Sequence, residues 1–334
     1  MTPVELSRTV LHAVRCAVDD GELSVVVPSR VVVGPPGPGG CGDYATNVAL
    51  QLARPAGQPP LRVAALLRPY LVRAAGVTDV EITGPGFLNI SLDRALTSTA
   101  LVRRILREGP RYGRSDALAG RVFALCVPYE VRAEVVADVL ARVVASQGGR
   151  VEIAHGGEVN LRPVPAPEDP APLGPDAARW ALLHPAPHDR PRITADHLVQ
   201  RESNPLFRVR YAHARTRAVS RNAADLGFGT PGPEPHVEAA ADAPDLSALL
   251  ADYPRILATA GALPHPDAQA APSRLTRHLI ALADVTLTHL PAVLPRGDEK
   301  PSAAHRSRLA LAEAAGTVLA GGLSLLGIDA PDHL

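Results

Sequence analysis

Apolar and polar positions alternate with two different periods along the first 110 residues. Val4, Val10, Leu11, Val14 and Val18 share one side of a helix that Thr2 can cap. "LSVVVP" and "RVVVG" are β-branched runs and predict short strands. "PPGPGGCGDYATNVALQLA" predicts a Gly/Pro loop and then a helix, with Asp43 at its N-cap and Ala45, Val48, Ala49 and Leu52 on one face. "LRVAALLRPYLVRA" predicts a further helix. "DVEITGPGFLNISL" reads as strand, turn, strand: Val80 and Ile82, then Leu88, Ile90 and Leu92, around Gly84-Pro85-Gly86. Between 120 and 154, "RVFALCV", "EVRAEVVADVLARVVASQ" and "RVEIA" predict one βαβ unit, with Gly148-Gly149 ending the helix.

The prolines of "LRPVPAPEDPAPLGP" forbid a helix and disfavour a central strand, so this stretch is a connector. From Pro175 onward the period is helical, with loops expected at about 227 to 244, 262 to 272 and 294 to 302. Leu275, Leu279 and Leu282 mark one buried helix face, and Leu311, Ala315, Val318 and Gly322 another. The expected fold is an α/β N-terminal domain, a small Rossmann-like βαβ piece and an all-α helical bundle.

Composition narrows the possible functions only a little. Lys plus Arg equals Asp plus Glu at 34 each, so bulk charge does not predict nucleic-acid affinity. A single lysine, Lys300, and 34 prolines point to a coding bias toward Arg, Ala and Pro, so arginine position carries more meaning than arginine number. Cys16, Cys41 and Cys126 are too far apart for a disulfide framework or a zinc site, and read as free thiols. The twelve histidines form no ligand constellation, so no metal is expected. The first twenty positions carry interspersed charge and predict no secretory segment. No uninterrupted apolar run approaches the roughly 20 residues of a membrane span, so the expected location is cytoplasmic.

Position matters most in "NPLFRVRYAHARTRAVSRNA", residues 204 to 223. Wound as a helix, it puts Phe207, Tyr211, Ala214 and Ala218 on one apolar stripe expected to dock. Arg210, Arg217 and Arg221 fall on one flank, Arg208 and Arg215 on the other. Such a helix either meets an anion or pairs with carboxylates of its own protein. "GPPGPGGCGD" lacks the Gly-Lys-Ser/Thr end of a phosphate loop and the Gly-x-Gly-x-x-Gly order of a dinucleotide site, and reads as a structural turn.

Three separated stretches resemble the arginyl-tRNA synthetase family. "GDYATNVALQLARPAGQPP" with "VEITGPGFLNISL" resembles that family's N-terminal tRNA-binding domain. "DAARWALL" through "NPLFRVRYAHARTRAVS" resembles the junction of its catalytic and anticodon-binding domains. "RLTRHLIALADVTLTHLPAVLP" and "RLALAEAAGTVLAGGLSLLGIDAP" resemble its helical anticodon-binding domain. The resemblance implies a domain over 1–112 like the family's N-terminal domain and a degenerate Rossmann-like catalytic remnant over 118–160. It further implies a Pro-rich connector over 161–174, then a helical junction and anticodon-binding domain over 175–334.

The middle departs from the family. "VRAEVVADVLARVV" resembles the helix after its His-x-Gly-His motif, with Asp138, Leu140, Ala141 and Arg142 in place. The motif itself then falls on Val127, Pro128, Tyr129 and Glu130, without either histidine. The lysine-rich loop and most of the catalytic domain have no counterpart. The implied protein binds tRNA, in particular arginine tRNA, without catalytic residues and with no cofactor expected. Arg208, Arg210, Tyr211, Arg215, Arg217 and Arg221 would then face the anticodon stem and loop. Phe87 and Asn89 would face the outer corner of the tRNA, or else Phe87 is core and Asn89 caps its turn. The alternatives are an arginine–tRNA ligase with a rebuilt ATP site, and a regulatory subunit without tRNA that binds a full-length synthetase or another protein. A third class, an enzyme taking arginyl-tRNA as donor, has no second active site in the sequence to support it.

Overall fold

In a computed structural model, residues 1–229, 243–263 and 265–334 are described. The chain forms two compact units, Met1–Leu101 and Val102–Leu334.

The first unit is α/β. Helix α1 (Pro3–Asp19) starts with a capping box: Thr2 Oγ1 accepts from the Glu5 amide, and the Glu5 carboxylate accepts from the Thr2 amide. Strands β1 (Val33–Gly34), β2 (Tyr44–Thr46), β3 (Val77–Thr83) and β4 (Phe87–Leu92) form an antiparallel sheet in the order β1-β2-β4-β3. Helices α2 (Val48–Ala56) and α3 (Pro60–Val72) share with α1 a core built on Leu6, Val10, Val14, Leu67, Leu88 and Ile90. The turn expected between β3 and β4 is present, and Gly86, at φ 131°, is required there. A Cβ would meet the Pro60 backbone at 3.0 Å. Helix α4 (Arg94–Glu108) follows.

Two sequence expectations fail in this unit. "LSVVVP" forms no strand, and "RVVVG" contributes only Val33–Gly34, because Leu23, Val31 and Val33 bury singly into the helical core instead of laddering. Asp43 does not cap α2. Its carboxylate accepts from the Leu92 amide at 2.9 Å, and Tyr44–Thr46 pairs with β4, so α2 begins only after Asn47. A pairing with a distant strand overrides the local helix-start signal.

The second unit begins with the parallel pair β5 (Val122–Cys126) and β6 (Arg150–Ala154), joined by α5 (Val131–Ser146). Helices α6 (Gly174–Leu183), α7 (Pro205–Asp225), α8 (Pro244–Ala258), the short α9 (Pro266–Gln269), α10 (Ala271–His289) and α11 (Ala303–Leu326) complete it. The loop expected at 227 to 244 lies largely outside the described residues, and α9 occupies part of the one expected at 262 to 272. Leu275, Leu279, Leu282, Leu311, Ala315, Val318 and Gly322 are all buried, as their spacing predicts. By length and hydropathy α11 could cross a membrane, although its sequence is not uninterrupted. Two-thirds of its apolar window is buried in this unit, as in a core helix.

The βαβ piece is fastened to the helices by arginines. Arg132 is buried in α5 and donates to five carbonyls, those of Val164, Leu182, Pro185, Ala186 and Asp189. Burial lowers its pKa, which the nearby Glu130 and Asp189 partly offset. Asp138 pairs with both Arg142 and Arg179, and Arg179 donates to the Leu326 carbonyl at the end of α11. The residues of α5 that resemble the synthetase helix thus hold α5, α6 and α11 together.

Candidate nucleic-acid interface

Helix α7 starts where the sequence places it. Asn204 Oδ1 accepts from the Leu206 amide, and its Nδ2 donates to the carbonyls of His197 and Val199, so the cap is fully used. The face that docks is not the expected one. Leu206, Val209, Ala212, His213, Thr216, Val219 and Ala223 are buried; of the expected stripe Ala214 alone is buried, while Phe207 and Ala218 are half-buried and Tyr211 is 37% exposed. Two polar side chains concealed the true core stripe. His213 bonds the Gly316 carbonyl, and Thr216 bonds the His213 carbonyl and lies against Gly316 of α11, where a Cβ would collide with it. Only a glycine permits so close an approach of the two helices.

Inverting the docking face changes what the helix presents. Phe207 and Tyr211 stack outside the core, with ring centroids 5.5 Å apart. At 3.6 residues per turn, Arg208 and Arg215 border this aromatic pair on one side, and Arg210, Arg217 and Arg221 on the other. Four arginines have partners within the protein. Arg208 meets Asp284 and Arg210 meets Asp176, each at 3.2 Å. Arg217 lies 3.1 Å from Asp332, while Arg221 reaches the Asp332 carbonyl and His333. Arg215 is exposed and unpaired among the described residues. Asp332 also lies 3.4 Å from His213. Its partial desolvation opposes ionisation, but Arg217 and then His213 outweigh this and hold the carboxyl below its usual range.

The N-terminal pair of candidates separates. Phe87 is 40% exposed at the β3–β4 turn, so it is not core. Asn89 is buried: its Nδ2 donates to Thr83 Oγ1 at 2.6 Å, and the loop at Gly40 lies over its Oδ1.

At the N-terminus of α5, three of the four positions aligned with the family motif also diverge. Val127 is buried and its amide donates to Ala154. Tyr129 is exposed and stacks on His155 at 4.6 Å. Glu130 caps α5. One carboxylate oxygen accepts from the Ala133 amide at 2.9 Å, the other from the Ala166 amide of the connector at 3.0 Å. The sequence signal for this cap was present in a carboxylate directly before a helical run, and it reads as a mismatch only beside the family motif. Among the described residues no group of three or more His, Cys, Asp or Glu could hold a metal ion.

Residues 8–92 match the arginyl tRNA synthetase N-terminal domain, and residues 209–334 match the DALR anticodon-binding domain. The chain belongs to the arginyl-tRNA synthetase family. It is 47% identical over 125 residues to the arginine–tRNA ligase of Renibacterium salmoninarum, covering 36% of this chain and 23% of that protein. It is 45% identical over 114 residues to that of Frankia alni, covering 34% and 20%. The matched stretch is thus less than a quarter of the length of these curated relatives. The fold is similar to that of the Thermus thermophilus arginyl-tRNA synthetase, at TM-score 0.68, 14% identity and 100% coverage of both chains. For the Plasmodium falciparum arginyl-tRNA synthetase the TM-score is 0.62, at 8% identity and 99% coverage of both. Within this synthetase-family chain, Arg210, Tyr211, Arg215, Arg217 and Arg221 lie inside the anticodon-domain match. The β5–α5–β6 piece and the connector lie between the two matches.

Proposed function

We propose that this chain is a tRNA-binding synthetase-like protein that does not activate arginine by itself. The observation that carries the reading is the outer face of α7: a stacked Phe207–Tyr211 pair between two arginine edges, with Tyr211 and all the edge arginines but Arg208 inside the anticodon-domain match. Arginines suit phosphates and exposed aromatic rings suit unstacked loop bases, the two chemistries an anticodon arm offers. The tRNA expected is arginine tRNA, met in the cytoplasm.

Glu130 supports the second half of the reading. A helix N-terminus is a ready site for a phosphate. Here a carboxylate of the chain already occupies it, bonded on both oxygens. A phosphate charge about 4 Å from that carboxylate would be repelled by roughly 4 kcal/mol at an effective dielectric near 20, about a thousandfold in affinity. No cofactor is expected. ATP would matter only if the chain were an arginine–tRNA ligase, the activity named for its relatives.

Filter binding with arginine tRNA and calorimetric titration with ATP and arginine test the two halves separately. The expected result is salt-sensitive tRNA binding without saturable ATP binding. Micromolar ATP binding or arginine-dependent ATP–pyrophosphate exchange would refute the second half. Absence of tRNA binding at low salt would refute the first and favour a protein-interaction role.

A further inference from the structure

The β5–β6 pair is an unusual object, because parallel strands are ordinarily covered on both faces. One lateral edge of β5 is closed by Asn160, whose side chain accepts from the Cys126 amide and donates to the Ala124 carbonyl. The other edge of β5 pairs with β6. Strand β6 has no second strand neighbour among the described residues. Four of its five residues are exposed, including Ile153 at 41%. Val131 at the start of α5 and Tyr129 before it add exposed apolar surface at the ends of the same strands, 44% and 86% exposed. Natural sheets seldom leave such an edge unprotected.

The strand reads Arg150-Val151-Glu152-Ile153-Ala154 and is self-complementary in one register. Val151 and Ile153 pair with Phe123 and Leu125 and share their face, while Arg150 and Glu152 lie on the opposite face. Two copies running antiparallel about a twofold axis must pair residues of the same face. An axis through Glu152 would oppose two glutamates. An axis through Val151 instead sets Arg150 against Glu152 of the second copy twice, and Val151 against itself. Opposite charges directly across a sheet stabilise it and like charges oppose it.

We infer that β6 is a homodimer edge, joining two copies through an antiparallel β6–β6 pair centred on Val151 into a four-stranded sheet. Main-chain hydrogen bonds supply affinity, the paired charges set the register, and the short edge makes the dimer a weak one.

Light scattering on the full chain, across roughly 10 to 200 µM, reads the mass directly as it rises from 35.0 kDa toward twice that value. Arg150→Glu alone and Glu152→Arg alone should each weaken association roughly tenfold to a hundredfold. Mixing the two variants should restore it, because each then faces opposite charge on its partner. The double exchange R150E/E152R should also self-associate. Both positions are exposed, and circular dichroism confirms that each variant is folded. A wild type that stays monomeric throughout would overturn the inference. So would single variants that dimerise like the wild type, or a mixture that associates no better than either variant alone.

Discussion

Asp332 is the sharpest probe of the arginine edge. Its carboxylate sits 3.1 Å from Arg217 Nε and 3.4 Å from His213 Nε2, where a phosphate would have to bind to use Arg217. On the proposed reading the tail would compete with RNA on that edge. Asp332→Asn keeps the shape and removes the charge. An ion pair about half exposed on both sides contributes roughly 0.2 to 1 kcal/mol, so the loss of stability should stay within about 1 kcal/mol. Released from the aspartate, Arg217 becomes available to phosphate, and affinity should rise by up to about fivefold, the same energy on the binding side. The slope of log affinity against log salt should steepen by up to roughly 0.9, for one added phosphate contact on a duplex stem. The assay is filter binding of arginine tRNA across a salt series, with thermal melts run in parallel. The held-down pKa adds a pH signature. The tether's stabilisation is complete above the ordinary aspartate pKa and disappears as pH falls through the lower folded value. If the Asp332→Asn variant binds RNA no more tightly, at unchanged slope, Arg217 does not touch phosphate.

Three further outcomes follow from buried polar groups and close packing. Asn89→Ala should cost about 1 to 3 kcal/mol, by removing a buried amide that bonds Thr83 beneath the Gly40 loop, and leave tRNA affinity unchanged in filter binding. His278, pushed down to about 4 chiefly by burial, stays neutral when folded, so the unfolded chain takes up its proton first. Denaturant melts should show stability falling as pH drops from about 6.5 toward 4, by at most about 3 kcal/mol, and His278→Leu should flatten that fall. Gly316→Val should force α7 and α11 apart at Thr216, costing about 1 to 3 kcal/mol by thermal unfolding, and should weaken tRNA binding only through lost folded protein.

The parts legible in the sequence were those whose local pattern and tertiary partner agree. The Thr2 cap, the Gly84-Pro85-Gly86 turn, the βαβ order and the leucine faces of α10 and α11 are of this kind. Long-range pairing hid the rest. Tyr44–Thr46 looks like the start of a helix and becomes a strand because β4 lies beside it. The docking face of α7 was inverted because His213 and Thr216 find polar partners in α11 and on α7 itself, while Phe207 and Tyr211, apolar by type, stay outside the core. The arginines were legible as two edges, but Asp176, Asp284 and Asp332 are too distant in sequence for their pairing to be read.

The central claim is that the outer face of α7 meets RNA, and the salt dependence of binding tests it most directly. Arg210 is a poor choice for reversal, because a glutamate there would face Asp176 at a half-buried site. Arg215, Arg217 and Arg221 are exposed, so R215E/R217E/R221E should fold, as circular dichroism would verify. The prediction is a slope flattened by about two units, since Asp332 withholds Arg217 from phosphate, and binding of arginine tRNA lost at physiological salt. A folded triple variant that keeps the wild-type slope and affinity would show that these arginines serve the protein's own carboxylates and that α7 is not an RNA surface.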